Sequence, residues 1–248
     1  MTALEGGADG RRPTSRAPLF RSDVRAFTVG PVQENCYIVR ADEHATRAVI
    51  VDPGDEPERL LAAIDALGVE IEAILLTHCH FDHIGAVAPV ARATGAPVYC
   101  PQIERPVLSD VMAWVPPGFG PFESYEADHT LAGGEHLKLA GLSIDVLFTP
   151  GHSPGHLTYA VPGAVLSGDV LFQGSVGRVD LPGGDWATLE RSIETLLKSY
   201  PEETLVYPGH MGVTSLGRER DTNPFLSELR VRVPRVAVAP DSPPPLQL

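Results

Sequence analysis

The segment THCHFDHIGA, residues 77–86, carries three histidines and one aspartate within six residues. Imidazole nitrogens and carboxylate oxygens are ligands for transition-metal ions. Burying several such groups without a metal would leave polar groups unpaired, which is costly in free energy. The cluster of His78, His80, Asp82 and His83 therefore predicts a metal site, and we expect this site to carry the chemistry of the protein.

Three further metal-capable side chains follow apolar runs elsewhere in the chain. His152 follows VLFTPG, Asp169 follows AVLSG and His210 follows TLVYPG, while the histidine cluster itself follows AILLT. Each run has the composition of a buried strand. Ligand sites in α/β folds gather at the carboxyl ends of strands, so these four strand ends are expected to converge on one cleft.

Five imidazoles and two carboxylates are too many ligands for one tetrahedral zinc ion, and they suit two metals. The first predicted group contains three imidazoles: His78, His80 and His152. The second contains one carboxylate and two imidazoles: Asp82, His83 and His210. Asp169 is predicted to bridge the two ions. This thiolate-free set favours zinc, with iron or manganese as alternatives, and a bridging water there can reach a pKa of about 7.

Other polar residues near these motifs have plainer interpretations. Four histidines are interpreted as surface or core residues, not ligands: His44, His129, His136 and His156. Cys79 lies between two ligands, but neighbours in an extended segment point opposite ways, so it is expected to pack in the core, as are Cys36 and Cys100. Asp52 in VDPGD has two interpretations. It either orients a ligand imidazole or its loop, or it simply ends a strand with an Asx turn.

The elements that would position these residues alternate between strands and helices. The runs VRAFTV, CYIV and RAVIVD predict strands, EPERLLAAIDALG and IGAVAPVARATG predict helices, and residues 113–128 predict a loop. HLKLAGLSIDVLF predicts a hairpin, and DWATLERSIETLLKS a helix with Asp185 as its N-cap. TNPFLSELR predicts one short helix. The pattern indicates two sheets packed face to face with helices outside, an α/β sandwich.

Composition restricts the class of protein further. The chain has 248 residues, 43% of them hydrophobic, and a formal net charge of −13. Such an acidic chain gains nothing from counterion release on nucleic acid, and no apolar run is long enough to span a membrane. Three cysteines fit a reducing compartment, so we expect a cytoplasmic protein. The Pro- and Gly-rich ends predict tails at 1–21 and 232–248 around one domain, residues 22–231.

The motifs together resemble the metallo-β-lactamase superfamily. THCHFDH followed by GH, GD and GH resembles its ligand pattern over residues 24–230. TPGHSPGH, SGDVLFQGSVGRVDLPGGD and GRERDTNPF are similar to the glyoxalase II group, especially its short bacterial members. The resemblance implies an αβ/βα sandwich of two mixed sheets and a binuclear site with the seven ligands above. It also implies hydrolysis of a small-molecule acyl-thiol ester such as S-lactoylglutathione, with Asp82 or Asp169 relaying a proton.

The resemblance leaves the thiol, the acyl group and the oligomeric state open. Full-length glyoxalase II has a C-terminal helical domain that holds much of the glutathione, whereas one short helix and a tail are expected here after His210. Arg178 in SVGRVD either contacts a substrate carboxylate or forms a surface ion pair. One rival function is a persulfide dioxygenase, which would bind one iron through His78, His152 and Asp169. A non-catalytic metal-binding or interaction protein is the alternative from another class.

Overall fold

The first of two central sheets is built from the amino-terminal half of the chain in the computed structural model, which describes residues 21–232. Its six strands lie in sequence order, antiparallel from β1 to β3 and parallel from β3 to β6. They are β1 (Asp23–Val29), β2 (Glu34–Arg40), β3 (Arg47–Val51), β4 (Glu70–Leu75), β5 (Val98–Pro101) and β6 (His129–Leu131). The predicted tails lie outside the described residues except for Arg21 and Arg232, so the domain boundaries remain predictions.

The second sheet follows in the carboxyl-terminal half and has the order β14-β13-β10-β9-β8-β7. Only the pair β10 and β13 is parallel in it. Its strands are β7 (His136–Leu139), β8 (Leu142–Phe148), β9 (Leu157–Val161), β10 (Ala164–Gly168), β13 (Leu205–Pro208) and β14 (Thr214–Ser215). A separate two-stranded hairpin, β11 (Leu171–Phe172) and β12 (Ser175–Val176), lies between β10 and β13 in the chain.

The two sheets pack face to face through side chains that alternate along each strand. In β2, Tyr37 and Val39 enter the apolar cluster between the sheets, whereas Ile38 enters the cluster on the outer face of the first sheet. Tyr159 and Leu166 of the second sheet complete the central cluster. Because successive strand residues point to opposite faces, both faces of each sheet must be covered, and helices cover the outer ones.

Seven α-helices and three short 3₁₀ turns occur among residues 21–232. The helices are α1 (Pro57–Leu67), α2 (Phe81–Ile84), α3 (Val87–Thr94), α4 (Arg105–Ser109), α5 (Trp186–Ser199), α6 (Leu216–Thr222) and α7 (Leu229–Arg232). Helices α1 and α3 pack on the first sheet, and α5 and α6 on the second, which confirms the predicted αβ/βα sandwich. The 3₁₀ turns are Gln102–Glu104, Val111–Ala113 and Pro224–Leu226. None of these helices is long and apolar enough to cross a bilayer.

Local predictions hold where a single strong signal exists and fail at short elements. The Asp185 carboxylate caps α5 by accepting a hydrogen bond from the Thr188 N–H at 2.8 Å, as predicted. The predicted helix IGAVAPVARATG is wrong at its start, because Ile84 ends α2, which carries Asp82 and His83, and a break at Gly85 and Ala86 precedes α3. TNPFLSELR forms a 3₁₀ turn and α7 instead of one helix. All three cysteines lie in the apolar cluster of the first sheet.

Candidate metal centre

The predicted ligands all lie at the carboxyl ends of strands along one edge of the sandwich. His78 follows β4, His152 follows β8, Asp169 follows β10 and His210 follows β13. A backbone hydrogen bond from Leu157 N to Thr77 O, at 2.7 Å, joins the two sheets here, and one from Gly209 N to Gly168 O, at 2.8 Å, joins the ends of β13 and β10 within the second sheet. Three overlapping metal-capable groups occur among the described residues. Two of them are the predicted ones, His78, His80 and His152, and Asp82, His83 and His210, whereas the third contains Asp52, His78 and His83.

Three imidazole nitrogens converge in the first group. His80 Nδ1 lies 3.1 Å from His78 Nε2 and 2.9 Å from His152 Nε2. His78 and His152 are fully buried, and His80 is partly exposed. Three nitrogens pointing at one another at this spacing form the trigonal face that a metal ion with histidine ligands occupies.

The second group is more open to solvent. His210 Nε2 lies 3.3 Å from Asp82 Oδ2, and their side chains are 21% and 15% exposed. His83 is fully buried, and its Nε2 lies 3.9 Å from the same oxygen. The second group therefore offers two imidazoles and a carboxylate, with His210 and Asp82 at the mouth of the site.

Asp169 lies between the two groups and contacts both. Its Oδ2 is 3.4 Å from His152 Nε2 in the first group and 3.6 Å from His210 Nε2 in the second. Its Oδ1 is 3.4 Å from His83 Nε2. One oxygen of Asp169 thus lies within 3.6 Å of an imidazole nitrogen of each group, and its bridging role stays a prediction.

The residues present fit a bound cation. His83 Nε2 and Asp169 Oδ1 are buried and make no hydrogen bond, which costs about 1–3 kcal/mol for each such group. The backbone also closes tightly around them. A Cβ on Gly209 would lie only 2.2 Å from Asp169 Oδ1, so the residue before His210 must be a glycine. The imidazole and carboxylate donors around these two atoms suit a divalent transition-metal ion.

The electrostatics of the site keep several ligands in the form that metals bind. Burial, together with the neighbouring His152, lowers the pKa of His80 to about 4. Burial and the surrounding imidazoles likewise hold the pKa of His78 well below its usual value. Burial alone would raise the pKa of Asp169, but the imidazoles of His83 and His152 hold it below the ordinary range. At neutral pH, these two histidines are neutral and the aspartate is a carboxylate.

Hydrogen bonds from outside the ligand set orient the ligand rings. The Nδ1–H of His83 donates to Asp52 Oδ2 at 3.0 Å, and Thr77 donates to Asp52 through its N–H at 2.7 Å and its hydroxyl at 2.6 Å. His156 is fully buried, and its Nε2 accepts the Asp169 N–H at 3.0 Å. Of the two interpretations of Asp52, the contact with His83 supports the one that orients a ligand.

The guanidinium group of Arg178 is paired with Asp180 at the surface and not with any of the candidate ligands. Its guanidinium forms two hydrogen bonds to Asp180, at 2.6 and 2.7 Å, and both side chains are exposed. Its backbone carbonyl, however, accepts the Nδ1–H of His152 at 2.7 Å. The surface ion pair that was one of the two predicted interpretations is present, and a substrate contact from Arg178 remains a proposal.

A cavity of about 440 Å³ lies beside α2 and is lined in part by Phe119 and Phe122 of the predicted 113–128 loop. The ring of Phe81, between two ligands in the sequence, contacts both of these rings with centroid distances of 4.7 and 6.1 Å. His210 Nδ1 lies 3.3 Å from Gln33 O, next to the exposed Val32. The lining of the cavity contains none of the seven candidate ligands, and Phe81 connects its aromatic wall to the ligand segment.

Two carboxylates near the ligands could not be identified from the sequence. Glu34 is completely buried, lies 3.7 Å from His83 Nδ1 and makes no hydrogen bond through either oxygen. Burial raises its pKa well above the usual value. Glu104 is also buried and hydrogen-bonded to two ligand-bearing loops. Neither residue lies in the histidine-rich segment or directly follows a glycine at a strand end, which were the two signals that revealed the ligands.

Comparison with known proteins gives a family match over most of the chain. The model of the Metallo-beta-lactamase superfamily matches residues 29–210. The probable metallo-hydrolase YqgX of Bacillus subtilis is 43% identical over 210 residues, which cover 82% of this chain and 97% of that protein. The hydroxyacylglutathione hydrolase GloC of Haemophilus influenzae is 34% identical over 210 residues, which cover 83% of this chain and 98% of that protein.

Solved structures show the same architecture. The B3 metallo-beta-lactamase BLEG-1 is 40% identical with a TM-score of 0.78, covering 83% of this chain and all of that one. TTHA1623 in a di-iron-bound form is 46% identical with a TM-score of 0.67, covering 82% and 100%. ETHE1 from Myxococcus xanthus is 28% identical with a TM-score of 0.66, covering 82% and 83%.

Proposed function

The chain belongs to the metallo-beta-lactamase superfamily, and we propose that it is a binuclear metal-dependent hydrolase that cleaves acyl-thiol esters such as S-lactoylglutathione. The position of Asp169 between the two ligand groups carries this proposal, since a carboxylate that contacts both groups suits two ions at once. The likeness to GloC, a hydroxyacylglutathione hydrolase, supports the thioester as substrate class.

Seven residues would hold the metals, in the groups described above and with Asp169 shared between them. When bound there, divalent ions supply Lewis acidity that activates water and polarises an acyl carbonyl. Zinc, iron and manganese all match the donor set, and the di-iron form of TTHA1623 supports iron beside zinc.

The residues of the chain itself contribute positioning and proton transfer. Asp82 lies at the mouth of the site, within 3.3 Å of His210 Nε2, and we assign it the role of accepting a proton from the attacking water. Asp169 is the alternative carrier for that proton. The flanking apolar surface near Phe81 and Val32 would receive the acyl chain or the apolar part of the thiol and limit the access of bulk water.

Two other activities of the same fold each have a specific observation in their favour. The likeness to ETHE1 and the compact first group support a mononuclear iron persulfide dioxygenase, in which His78, His152 and Asp169 hold one iron. The likeness to BLEG-1 supports opening of a β-lactam ring. The complete second group, including Asp82 and His210, favours hydrolysis over dioxygenation, because a single iron would leave those residues without a ligand role.

A panel of substrates on the metal-loaded protein tests the proposal. Thiol release from S-lactoylglutathione and from other acyl-thiol esters is expected, without oxygen uptake in the presence of glutathione persulfide. If the protein cleaves a chromogenic cephalosporin and none of the thioesters, its substrate class is a β-lactam and not an acyl-thiol ester. Failure on every substrate, with two metals bound, would favour a non-catalytic metal-binding protein. We further propose a cytoplasmic protein that acts on a small molecule and not on nucleic acid or membranes.

A further inference from the structure

Glu104 is a buried carboxylate that lies outside the seven candidate ligands. It is the last residue of the 3₁₀ turn Gln102–Glu104, which follows β5, and it is 5% exposed. A carboxylate this deep must be satisfied by hydrogen-bond donors, because its desolvation is otherwise costly. The identity of its donors shows what it does in the fold.

Every hydrogen bond that the structure gives to the Glu104 side chain comes from a ligand-bearing loop. Oε2 accepts the N–H of Cys79 at 2.6 Å. Oε1 accepts the N–H of Gly155 at 2.9 Å and the hydroxyl of Ser153. The approach is close, since a Cβ on Gly155 would lie 2.7 Å from Glu104 Cγ.

These donors lie next to all three histidines of the first group. Cys79 separates His78 from His80 on the loop after β4 of the first sheet. Ser153 directly follows His152 on the loop after β8 of the second sheet. One carboxylate therefore connects the two segments whose imidazoles must be held close enough to bind the same metal ion.

We propose that Glu104 is a positioning residue that fixes the separation of the two histidine loops of the first metal group. The inference rests on the proposed two-metal centre and not on the thioester as substrate. The second group has other supports, because Asp52 holds His83, and the His210 segment is held by Asn35, which donates to Pro208 O and Met211 O. Loss of Glu104 should therefore weaken metal binding in the first group selectively.

The test measures metal affinity in variants that keep only one group. His210→Ala disables the second group, and His80→Ala disables the first. Glu104→Gln is introduced into each background, and the Kd of one zinc ion is measured by competition with a chromophoric chelator. Outer hydrogen-bond partners of metal ligands are worth about 10–100-fold in affinity. We expect a loss of at least about tenfold in the His210→Ala background and less than about threefold in the His80→Ala background.

Glu219→Gln is the matched control. Glu219 is also completely buried, and its carboxylate accepts hydrogen bonds from a backbone N–H, a hydroxyl and an amide: Gly174, Thr214 and Asn223. None of these donors lies on the loops that carry His78, His80 or His152. Glu219→Gln is expected to lower the melting temperature without a selective loss of affinity in the first group.

Ser153→Ala keeps the experiment decisive if Glu104→Gln does not fold. It removes one donor to Glu104 and leaves the carboxylate in place, so the same selective weakening should appear at a smaller size. Equal weakening of both groups would show that Glu104 supports the fold in general. Unchanged zinc affinity in the His210→Ala background, with the protein folded, would also overturn the positioning role.

Discussion

The Nδ1–H of His152 donates to the backbone carbonyl of Arg178 at 2.7 Å. A carbonyl can only accept, so this contact places a proton on Nδ1 and turns Nε2 toward Asp169 Oδ2, 3.4 Å away. Asp52 does the same for His83 from the other group, whose Nε2 also faces Asp169 at 3.4 Å. Two rings on either side of one carboxylate are thus held with their Nε2 atoms toward it, and Nε2 is the nitrogen that a cation at this centre would bind.

If Asp169 bridges, Asp169→Ala should affect both metals together. The wild-type protein is expected to retain about two ions per chain after gel filtration, and the variant to retain fewer than one in total, with thioester turnover lost. Elemental analysis by mass spectrometry measures the count. Asp180→Asn, which alters an exposed carboxylate beside Arg178, serves as the control and should retain both ions. Two tightly held ions in Asp169→Ala would remove the bridging role.

The two interpretations of Asp52 can be separated with Asp52→Asn. If its carboxylate orients His83, the variant should bind metal about 10–100-fold more weakly in the second group, because an amide nitrogen cannot accept from the ring or from Thr77. Asp42→Asn is the matched control, since Asp42 forms an ordinary exposed turn through the His44 N–H. Zinc titration of each variant in the His80→Ala background measures the affinity of the second group alone. An unchanged affinity would leave Asp52 as a turn residue.

The ligands could be predicted because each has a local signature, an apolar strand followed by a turn and a metal-capable side chain. Sheet order makes those signatures converge, and the structure brings His78, His152 and His210 to one edge as expected. The role of Glu104 could not be predicted in this way, because its donors Cys79 and Gly155 lie 25 and 51 residues away in the chain. Contacts of that kind depend on the final packing, which periodicity does not encode.

Metal removal should lower the melting temperature of the protein. Without ions, His83 Nε2 and Asp169 Oδ1 stay buried and make no hydrogen bond, and metal binds the folded state preferentially. Free metal at about 100 times its Kd contributes roughly 2.7 kcal/mol, which for a chain of this size is about 5–10 °C. Calorimetry before and after chelation measures the shift, and added zinc should restore it. No shift after confirmed metal removal would mean that packing alone holds the ligand loops.

The ion pair between Asp23 and Arg40 is expected to stabilise the folded protein by an amount that depends on pH. Its carboxylate accepts from Arg40 Nε at 2.5 Å, and the Arg40 side chain is only 7% exposed. Burial raises the pKa of Asp23, but the hydrogen bonds from Arg40 and Arg25 hold it below its ordinary value of 3.8. A depressed folded pKa means that the ion pair contributes stability above the unfolded pKa, and that this contribution disappears as the pH falls through the folded pKa.

Asp23→Asn should therefore destabilise the metal-free protein by about 1–3 kcal/mol at pH 7, and by progressively less below about pH 4. Urea unfolding of both proteins at several pH values measures the difference. Glu72→Gln is the comparison, since Glu72 pairs with the exposed Arg47, and such a pair contributes less than about 1 kcal/mol. A destabilisation of equal size at pH 7 and pH 3 would show that the effect is not due to the charge of Asp23.

His210 separates hydrolysis from dioxygenation because the two reactions use the second group differently. Its Nε2 lies 3.3 Å from Asp82 and 3.6 Å from Asp169, at the open side of the centre. If two metals are needed, His210→Ala should lower kcat/KM for thioester hydrolysis by more than about 100-fold, roughly 2.7 kcal/mol of transition-state stabilisation. His136→Ala is the control, because His136 lies exposed on the β7–β8 hairpin beside Asp145 and should leave turnover unchanged. An oxygen electrode provides the second measurement, and the wild-type protein should consume no oxygen with glutathione persulfide. Rapid persulfide-dependent oxygen uptake that survives His210→Ala, with no thioester cleavage, would assign the protein to dioxygenation through one iron held by His78, His152 and Asp169.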